Sequence, residues 1–177
     1  MAAAYLVAFE AFLRTGEVLC IRAQDVVLDR SGGNTAVLHL GFTKSGQRRG
    51  EPESVVVREP RAVLALAMAL EGMQPGDYLI DVTPPVFRAR FAEDVRALGL
   101  SSEEYKPYSF RRGGATHRFR SGDSMAVIAE QGRWAHLATC RIYVNDAVAE
   151  MTRITMPKSI GRRISSLAEE LGQLLAA

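Results

Sequence analysis

Basic residues in this sequence are almost all arginine: of its 22 lysines and arginines, lysine stands only at Lys44, Lys106 and Lys158. A guanidinium is a planar fork that donates paired hydrogen bonds to two phosphate oxygens, whereas an ammonium is a point charge with an exchangeable proton. Four segments together supply cations, an indole and phenols, the parts of phosphoryl chemistry: Phe12 to Leu19 around Arg14, Gly41 to Gly46 around Lys44, Tyr108 to His117 around Arg111, and Gly132 to Tyr143 around Trp134. Taken singly, each residue also has a plain structural role. Arg14 can pair with Glu17 at a helix end, and Lys44 can be a solvated turn residue. Tyr143, between Ile142 and Val144, reads as a core or interface tyrosine, and Tyr108 after Pro107 as a packing residue. The arginine bias itself also arises from genomic base composition.

Joint order and context separate these readings. Phe12-Leu13-Arg14-Thr15-Gly16-Glu17-Val18-Leu19 is similar to the first conserved box of the tyrosine recombinases, in which an arginine precedes by three residues a glutamate that opens a helix. Tyr108-Ser109-Phe110-Arg111-Arg112-Gly113-Gly114 resembles that family's His-x-x-Arg helix. Gly132-Arg133-Trp134-Ala135-His136, followed by Ile142-Tyr143, resembles its His/Trp box with the nucleophilic tyrosine nine residues on. Lys44, in Gly41-Phe42-Thr43-Lys44-Ser45-Gly46, matches the family's β-hairpin lysine. The likeness runs from about Leu6 to Asn145 in unbroken order. Tyr108 stands where the family usually has histidine, so a histidine proton-transfer role does not carry over.

The resemblance implies a metal-free, cofactor-free DNA strand transferase acting in site-specific recombination or integration. A phosphodiester repels nucleophiles, and its pentavalent transition state gathers charge on the non-bridging oxygens. Arg14 and Arg111 would hold those oxygens, and Trp134 would add an indole N–H. Tyr143 would attack phosphorus, leaving a 3′-phosphotyrosine and a free 5′-hydroxyl. Lys44 would protonate the departing oxygen, a task for which arginine's pKa lies too high. Tyr108 would stand beside the phosphate. Around this set, Arg48 and Arg49 in the hairpin turn and Arg112, Arg118 and Arg120 on the following helix would track the backbone of double-stranded DNA; surface solvation is the competing role of each. His39, His117 and His136 read as strand, helix and loop positions.

The elements that must position these residues are mainly helical. Periodicity predicts helices over Ala2 to Leu13 and Glu17 to Arg22, then strands Val26 to Leu28, Ala36 to Gly41 and Ser54 to Val57 as a small three-stranded antiparallel sheet. Helices follow over Arg61 to Glu71, Pro85 to Leu98, Ser109 to Arg120, Met125 to Gly132, Ala138 to Val144 and Ser159 to Leu175. The expected fold is that of a recombinase catalytic domain, mainly α with one minor sheet. Gly113-Gly114 inside a helix costs about 1 kcal/mol per glycine relative to alanine, which implies close approach of a neighbouring backbone or helix.

Bulk properties bound the rest. A chain of 177 residues with 47% hydrophobic and 24% charged content suits one ordinary domain. Cys20 and Cys140 lack the spacing of a zinc site or a disulfide framework, which points to a reducing interior; the resemblance implies a DNA-associated location, in cytoplasm, nucleoid or nucleus. No stretch approaches the roughly 20 apolar residues of a membrane helix.

Residues 159–177 carry an apolar stripe at Ile160, Ile164, Leu167, Ala168, Leu171, Leu174 and Leu175. The resemblance implies that such a helix docks into a neighbouring protomer, giving self-association as a tetramer on DNA; docking in cis is the alternative. Residues 1–177 would then be a single catalytic domain without the N-terminal helical domain that closes the clamp, and would bind DNA weakly with strong salt dependence. Two other readings stand beside the recombinase: a type IB topoisomerase, which usually has histidine at the place of Trp134, and a catalytically inactive DNA-binding module of the same fold.

Overall fold

The structure, a computed structural model, describes residues 1–29, 31, 33–41, 43, 46 and 50–176. Lys44, Arg48 and Arg49 therefore lie outside the described residues.

Helix α1 (Ala2–Glu10) buries Ala3, Ala4, Val7 and Ala8, the small apolar face its sequence offers. It ends three residues short of the periodic pattern. Phe12 takes a left-handed backbone with φ of 49°, and Leu13 N–H closes the turn on the Ala8 carbonyl at 3.0 Å. The turn sends neighbouring side chains into different cores. Leu13 joins a cluster with Val18, Leu38, Val57, Leu66 and Phe87, whereas Phe12 joins one with Ala115, Ile128, Trp134 and Cys140. Helix α2 (Thr15–Cys20) starts right after the crossing. The residue pair most in need of a fixed backbone, Phe12 and Arg14, thus sits on the seam between two cores.

Strands β1 (Val26–Leu28), β2 (Ala36–Gly41) and β3 (Glu53–Val57) form the expected antiparallel sheet in the order β1-β2-β3, with Leu38 opposite Val26 on one side and Val55 on the other. The alternation in β3 turns Val55 and Val57 inward, and Glu53 with them. That places a carboxylate in the interior beside Thr43, whose hydroxyl donates to it.

Helix α3 (Pro60–Leu70) is capped by Glu59, which accepts from Ala62 N–H at 2.7 Å. Helix α4 (Pro84–Ala97) buries Phe87, Phe91 and Val95. Helix α5 (Ser109–Arg120) carries the Arg111 segment, and the segment from Gly132 to Tyr143 runs from the end of α6 (Met125–Gln131) through α7 (Leu137–Tyr143). Glycine is required in α5: a Cβ on Gly114 would lie 2.0 Å from the Phe9 carbonyl oxygen and 2.7 Å from the Phe12 ring. The close approach expected of the Gly113-Gly114 pair is that of α1 and its terminal turn.

Helix α8 (Asp146–Thr155) lies where the periodicity reading ended one helix at Val144 and began the next at Ser159. Asn145 caps it by accepting from Val148 N–H at 3.1 Å. Helix α9 (Lys158–Ala176) packs against α3 of its own chain, and Ile160 meets Gly99. Its stripe is only partly covered, with Leu167 and Leu174 exposed. No described helix is long and apolar enough to cross a membrane.

Candidate active site

Arg14 occupies the cap position of α2. Its backbone N–H donates to Glu17 Oε2 at 2.8 Å and its Nη1 to Glu17 Oε1 at 2.6 Å. The helix-end pairing expected of an isolated Arg-x-x-Glu is therefore present, and it also orients the guanidinium. Arg111, one turn into α5, is fully buried. Its Nη1 donates to the Phe12 carbonyl and its Nη2 to the Gly132 carbonyl at 2.6 Å. The left-handed turn at Phe12 is what aims that carbonyl at Arg111. Burial, together with the charges of Arg14 and Arg133, pushes the Arg111 guanidinium down to about 10.

Two aromatic rings close over this cation, and a third packs on the second. The Trp134 ring lies 4.7 Å from the Arg111 guanidinium carbon and the Tyr143 ring 5.3 Å. Trp134 stacks on Tyr143 with centroids 4.5 Å apart. Gly132 leaves room for the indole, since a Cβ there would fall 2.2 Å from Trp134 Cζ3. Tyr108, 42% exposed at the start of α5, donates its hydroxyl proton to the Tyr143 hydroxyl at 2.5 Å. Thr116 ties the end of α7 to α5: its hydroxyl proton is shared between the Arg112 carbonyl at 2.9 Å and the Tyr143 carbonyl at 3.3 Å, and its oxygen accepts from Asn145 N–H at 3.1 Å.

The two phenols are driven apart. Burial raises the Tyr143 phenol, but the hydrogen bond from Tyr108 and the positive charges of Arg111 and Arg14 outweigh it, and the net shift is downward. Burial and the Tyr143 oxygen push Tyr108 up to about 12. Tyr143 is thus the phenol that ionises first, and Tyr108 remains its donor. Three buried donors among the described residues, Arg111 Nε, Trp134 Nε1 and Arg133 Nε, have no hydrogen-bond partner; the first two lie in this cluster and the third faces Glu53. Unmet buried donors are costly, and they cluster here beside a fixed cation.

The sequence-derived residues Arg14, Tyr108, Arg111, Trp134 and Tyr143 are therefore brought to one place from α2, α5, the α6–α7 turn and α7. The outer arginines divide. Arg112 is exposed and makes no ion pair among the described residues. Arg118 is paired with Asp123, and Arg120 with Glu150 at 2.7 Å and Asp146 at 3.5 Å, so both are held by carboxylates of their own chain. His39 bonds to Ser54 across the sheet, His117 lies against the Phe9 ring, and His136 caps α7.

One residue was missed. Arg133, read only as a spacer inside the Gly132-to-His136 box, is buried with φ of 57°. Its Nη2 donates to Glu17 Oε2 at 2.7 Å, its Nη1 to the Ala11 carbonyl at 3.2 Å, and its Nε lies 3.4 Å from Glu53 Oε2. Its acidic partners, Glu17 and Glu53, come from α2 and β3, and nothing in the sequence beside Arg133 marks them.

No described cluster of His, Cys, Asp and Glu could hold a metal ion. No protein-family model and no curated protein matches the sequence. Solved structures do match in shape. The XerH site-specific recombinase bound to its difH substrate, in a pre-cleavage complex, superposes with a TM-score of 0.63 at 14% identity over 87% of this chain and 45% of that one. The XerA recombinase gives 0.62 at 20% identity over 88% and 57%. The Tn1549 transposon integrase with circular intermediate DNA gives 0.60 at 13% over 86% and 58%. The chain spans about half the length of these proteins. The element order, the sheet and these superpositions together give the chain the fold of a tyrosine recombinase catalytic domain.

Proposed function

We propose that this domain cuts and rejoins DNA through Tyr143, as a recombinase or integrase does. One observation carries the reading: a phenol made more acidic by its neighbours sits on a buried arginine, and two unpartnered donors, Arg111 Nε and Trp134 Nε1, lie beside it. An anion brought into that cluster would satisfy both donors, and a DNA phosphate has the oxygens to do so.

In this reading the scissile phosphate enters beside Arg111 as the Tyr143 ring shifts off it. Arg14 and Arg111 take the non-bridging oxygens, whose negative charge grows toward the transition state, and Trp134 Nε1 donates to one of them. The Tyr143 oxygen attacks phosphorus after its proton has passed to solvent water. The bond to the 5′-oxygen breaks, and Lys44 supplies that oxygen with a proton. A 5′-hydroxyl from a second strand then reverses the step on the phosphotyrosine. Tyr108 acts as a hydrogen-bond donor to the Tyr143 oxygen in place of a histidine that would accept its proton. Self-association through α9 and backbone contacts from Arg48, Arg49 and Arg112 belong to the same proposal.

The test is covalent capture. Short nicked duplexes of randomised sequence, in which cleavage releases a fragment too small to religate, are incubated with the chain and resolved under denaturing conditions. Adducts should form with the native protein and vanish with Tyr143→Phe. Absence of any native adduct overturns the reading in favour of a binding module of the same fold, and adducts that survive Tyr143→Phe overturn the choice of nucleophile. Relaxation of supercoiled DNA by monomers would favour the topoisomerase.

A further inference from the structure

Arg133 has a backbone conformation that an arginine rarely adopts, with φ of 57°. A turn that only had to reverse the chain between α6 and α7 would be better served by glycine, which enters this region without steric cost. What arginine adds there is its guanidinium, whose two Nη atoms are hydrogen-bonded in the interior and whose Nε, without a hydrogen-bond partner, lies 3.4 Å from Glu53 Oε2. The Arg133 side chain is 4% exposed, and the Glu17 and Glu53 side chains it meets are 9% and 5% exposed. Within this set the Glu17 carboxylate is split: Oε2 accepts from Arg133 Nη2 at 2.7 Å and from the Arg14 backbone N–H at 2.8 Å, and Oε1 accepts from Arg14 Nη1 at 2.6 Å. Glu17 cannot rotate to follow Arg14 without leaving Arg133.

We infer that Arg133 is a positioning residue for Arg14: by holding one oxygen of Glu17 it fixes the other, and so sets the direction in which the Arg14 guanidinium faces the Arg111–Tyr143 cluster. The inference rests on the proposed DNA cleavage for its consequence in catalysis, but the geometry itself concerns the free protein. A rigid carboxylate shared by two cations pre-pays the ordering that a flexible surface arginine would lose on gripping a phosphate. Glu53 gives the far side of Arg133 its second anion and ties it to Thr43, so the turn is braced against the sheet.

Two measurements separate this from a merely structural role. In the free protein, hindered rotation of the Arg14 guanidinium is read from its side-chain nitrogen resonances, assigned through Arg14→Lys. Rotation should be slow in the native chain and should speed up in Arg133→Lys and in Glu17→Gln, with the melting temperature followed alongside. Arg133→Gly, which relieves the backbone and removes the guanidinium, covers the case in which lysine destabilises the turn. Unchanged Arg14 rotation in both Arg133 variants overturns the inference whatever the chain does to DNA.

With a duplex recovered by covalent capture, single-turnover cleavage is compared on a scissile phosphate and on a methylphosphonate, in which a neutral methyl replaces one charged oxygen. Arg133→Lys should slow cleavage of the phosphate by roughly tenfold to 100-fold, as displacement of a positioned group does. The loss should shrink on the methylphosphonate in step with that of Arg14→Ala, and Glu17→Gln should add nothing further in the double variant. An equal loss on both substrates marks Arg133 as a folding residue only and overturns the inference. A native chain that forms no adduct overturns the cleavage reading instead, leaving the resonance measurement to decide the role of Arg133.

Discussion

The Tyr108 hydroxyl donates to the Tyr143 hydroxyl at 2.5 Å, and the two rings sit 5.9 Å apart at 54°. The bond assigns unequal roles to two chemically identical groups. Its donor, Tyr108, is pushed up to about 12, while Tyr143 is lowered by that bond and by Arg111 and Arg14 despite its burial. Cleavage through a Tyr143 phenolate should therefore rise with pH and level off below the ordinary phenol value. Tyr108→Phe removes the donor to the phenolate, so the rising limb should move to higher pH and the neutral-pH rate should drop by about tenfold. Single-turnover rates between pH 6 and about 10.5 check this, and an unmoved limb would show that Tyr108 only packs.

Arg111 carries structure and chemistry at once. Its guanidinium is the partner of the Phe12 and Gly132 carbonyls, which hold the two turns of the site. Arg111→Met keeps volume but strands both carbonyls away from water. A loss of about 2–5 kcal/mol in urea unfolding is expected, together with loss of adduct formation. Arg14→Met, at a position whose side chain is 30% exposed, should abolish adducts at a much smaller stability cost. Equal destabilisation by the two would contradict the contrast in burial.

The α1–α5 contact gives a sharp steric prediction. Gly114→Ala places a Cβ 2.0 Å from the Phe9 carbonyl oxygen, a backbone atom that cannot step aside, and should cost about 3 kcal/mol or more while disturbing Phe12 and hence Arg111. Gly113→Ala meets only the edge of the Phe9 ring at 3.3 Å, and the helix preference of alanine should leave its net effect within about 1 kcal/mol. Thermal or urea unfolding of the two single variants decides it.

The parts of the site that chemistry constrains by residue type were the legible ones. Arginines, an indole and a phenol in a fixed order left Arg14, Arg111, Trp134 and Tyr143 readable from sequence as one set, whereas Glu53, one residue before the strand expected from Ser54 to Val57, was not read as an inward residue. What escaped depended on backbone geometry or on distant partners. Phe12 continues the α1 pattern, and nothing in its periodicity marks a left-handed turn. Arg133 looks like any surface arginine until Glu17, 116 positions away in sequence, is folded against it. Helix α8 was missed although Asn145 is a good cap, because its apolar residues Val148, Met151 and Ile154 are exposed and make no buried stripe. Arg118 and Arg120 read as a basic face because their acidic partners arrive from the next turn and from α8.

That last point separates two arginines on α5 that the sequence treats alike. Arg112 is exposed without an ion pair among the described residues, whereas Arg120 joins Asp146 and Glu150 and so ties α8 to α5. Arg112→Ala should weaken DNA binding across sequences and reduce the slope of log affinity against log salt by about 1, with little change in stability. Arg120→Ala should instead loosen α8, seen as faster amide exchange from Asp146 to Thr155. The tie is also acid-sensitive. Hydrogen bonds from Arg153 and Arg120 hold the Glu150 carboxyl down to about 2. A depressed carboxylate stabilises the fold above its ordinary value of 4.5, and that contribution fades as pH falls from there toward 2. Amide exchange in α8 should accelerate over that window in the native chain and lose this pH dependence in Glu150→Gln; a salt slope lowered as much by Arg120→Ala as by Arg112→Ala would mean that Arg120 leaves its carboxylates for DNA.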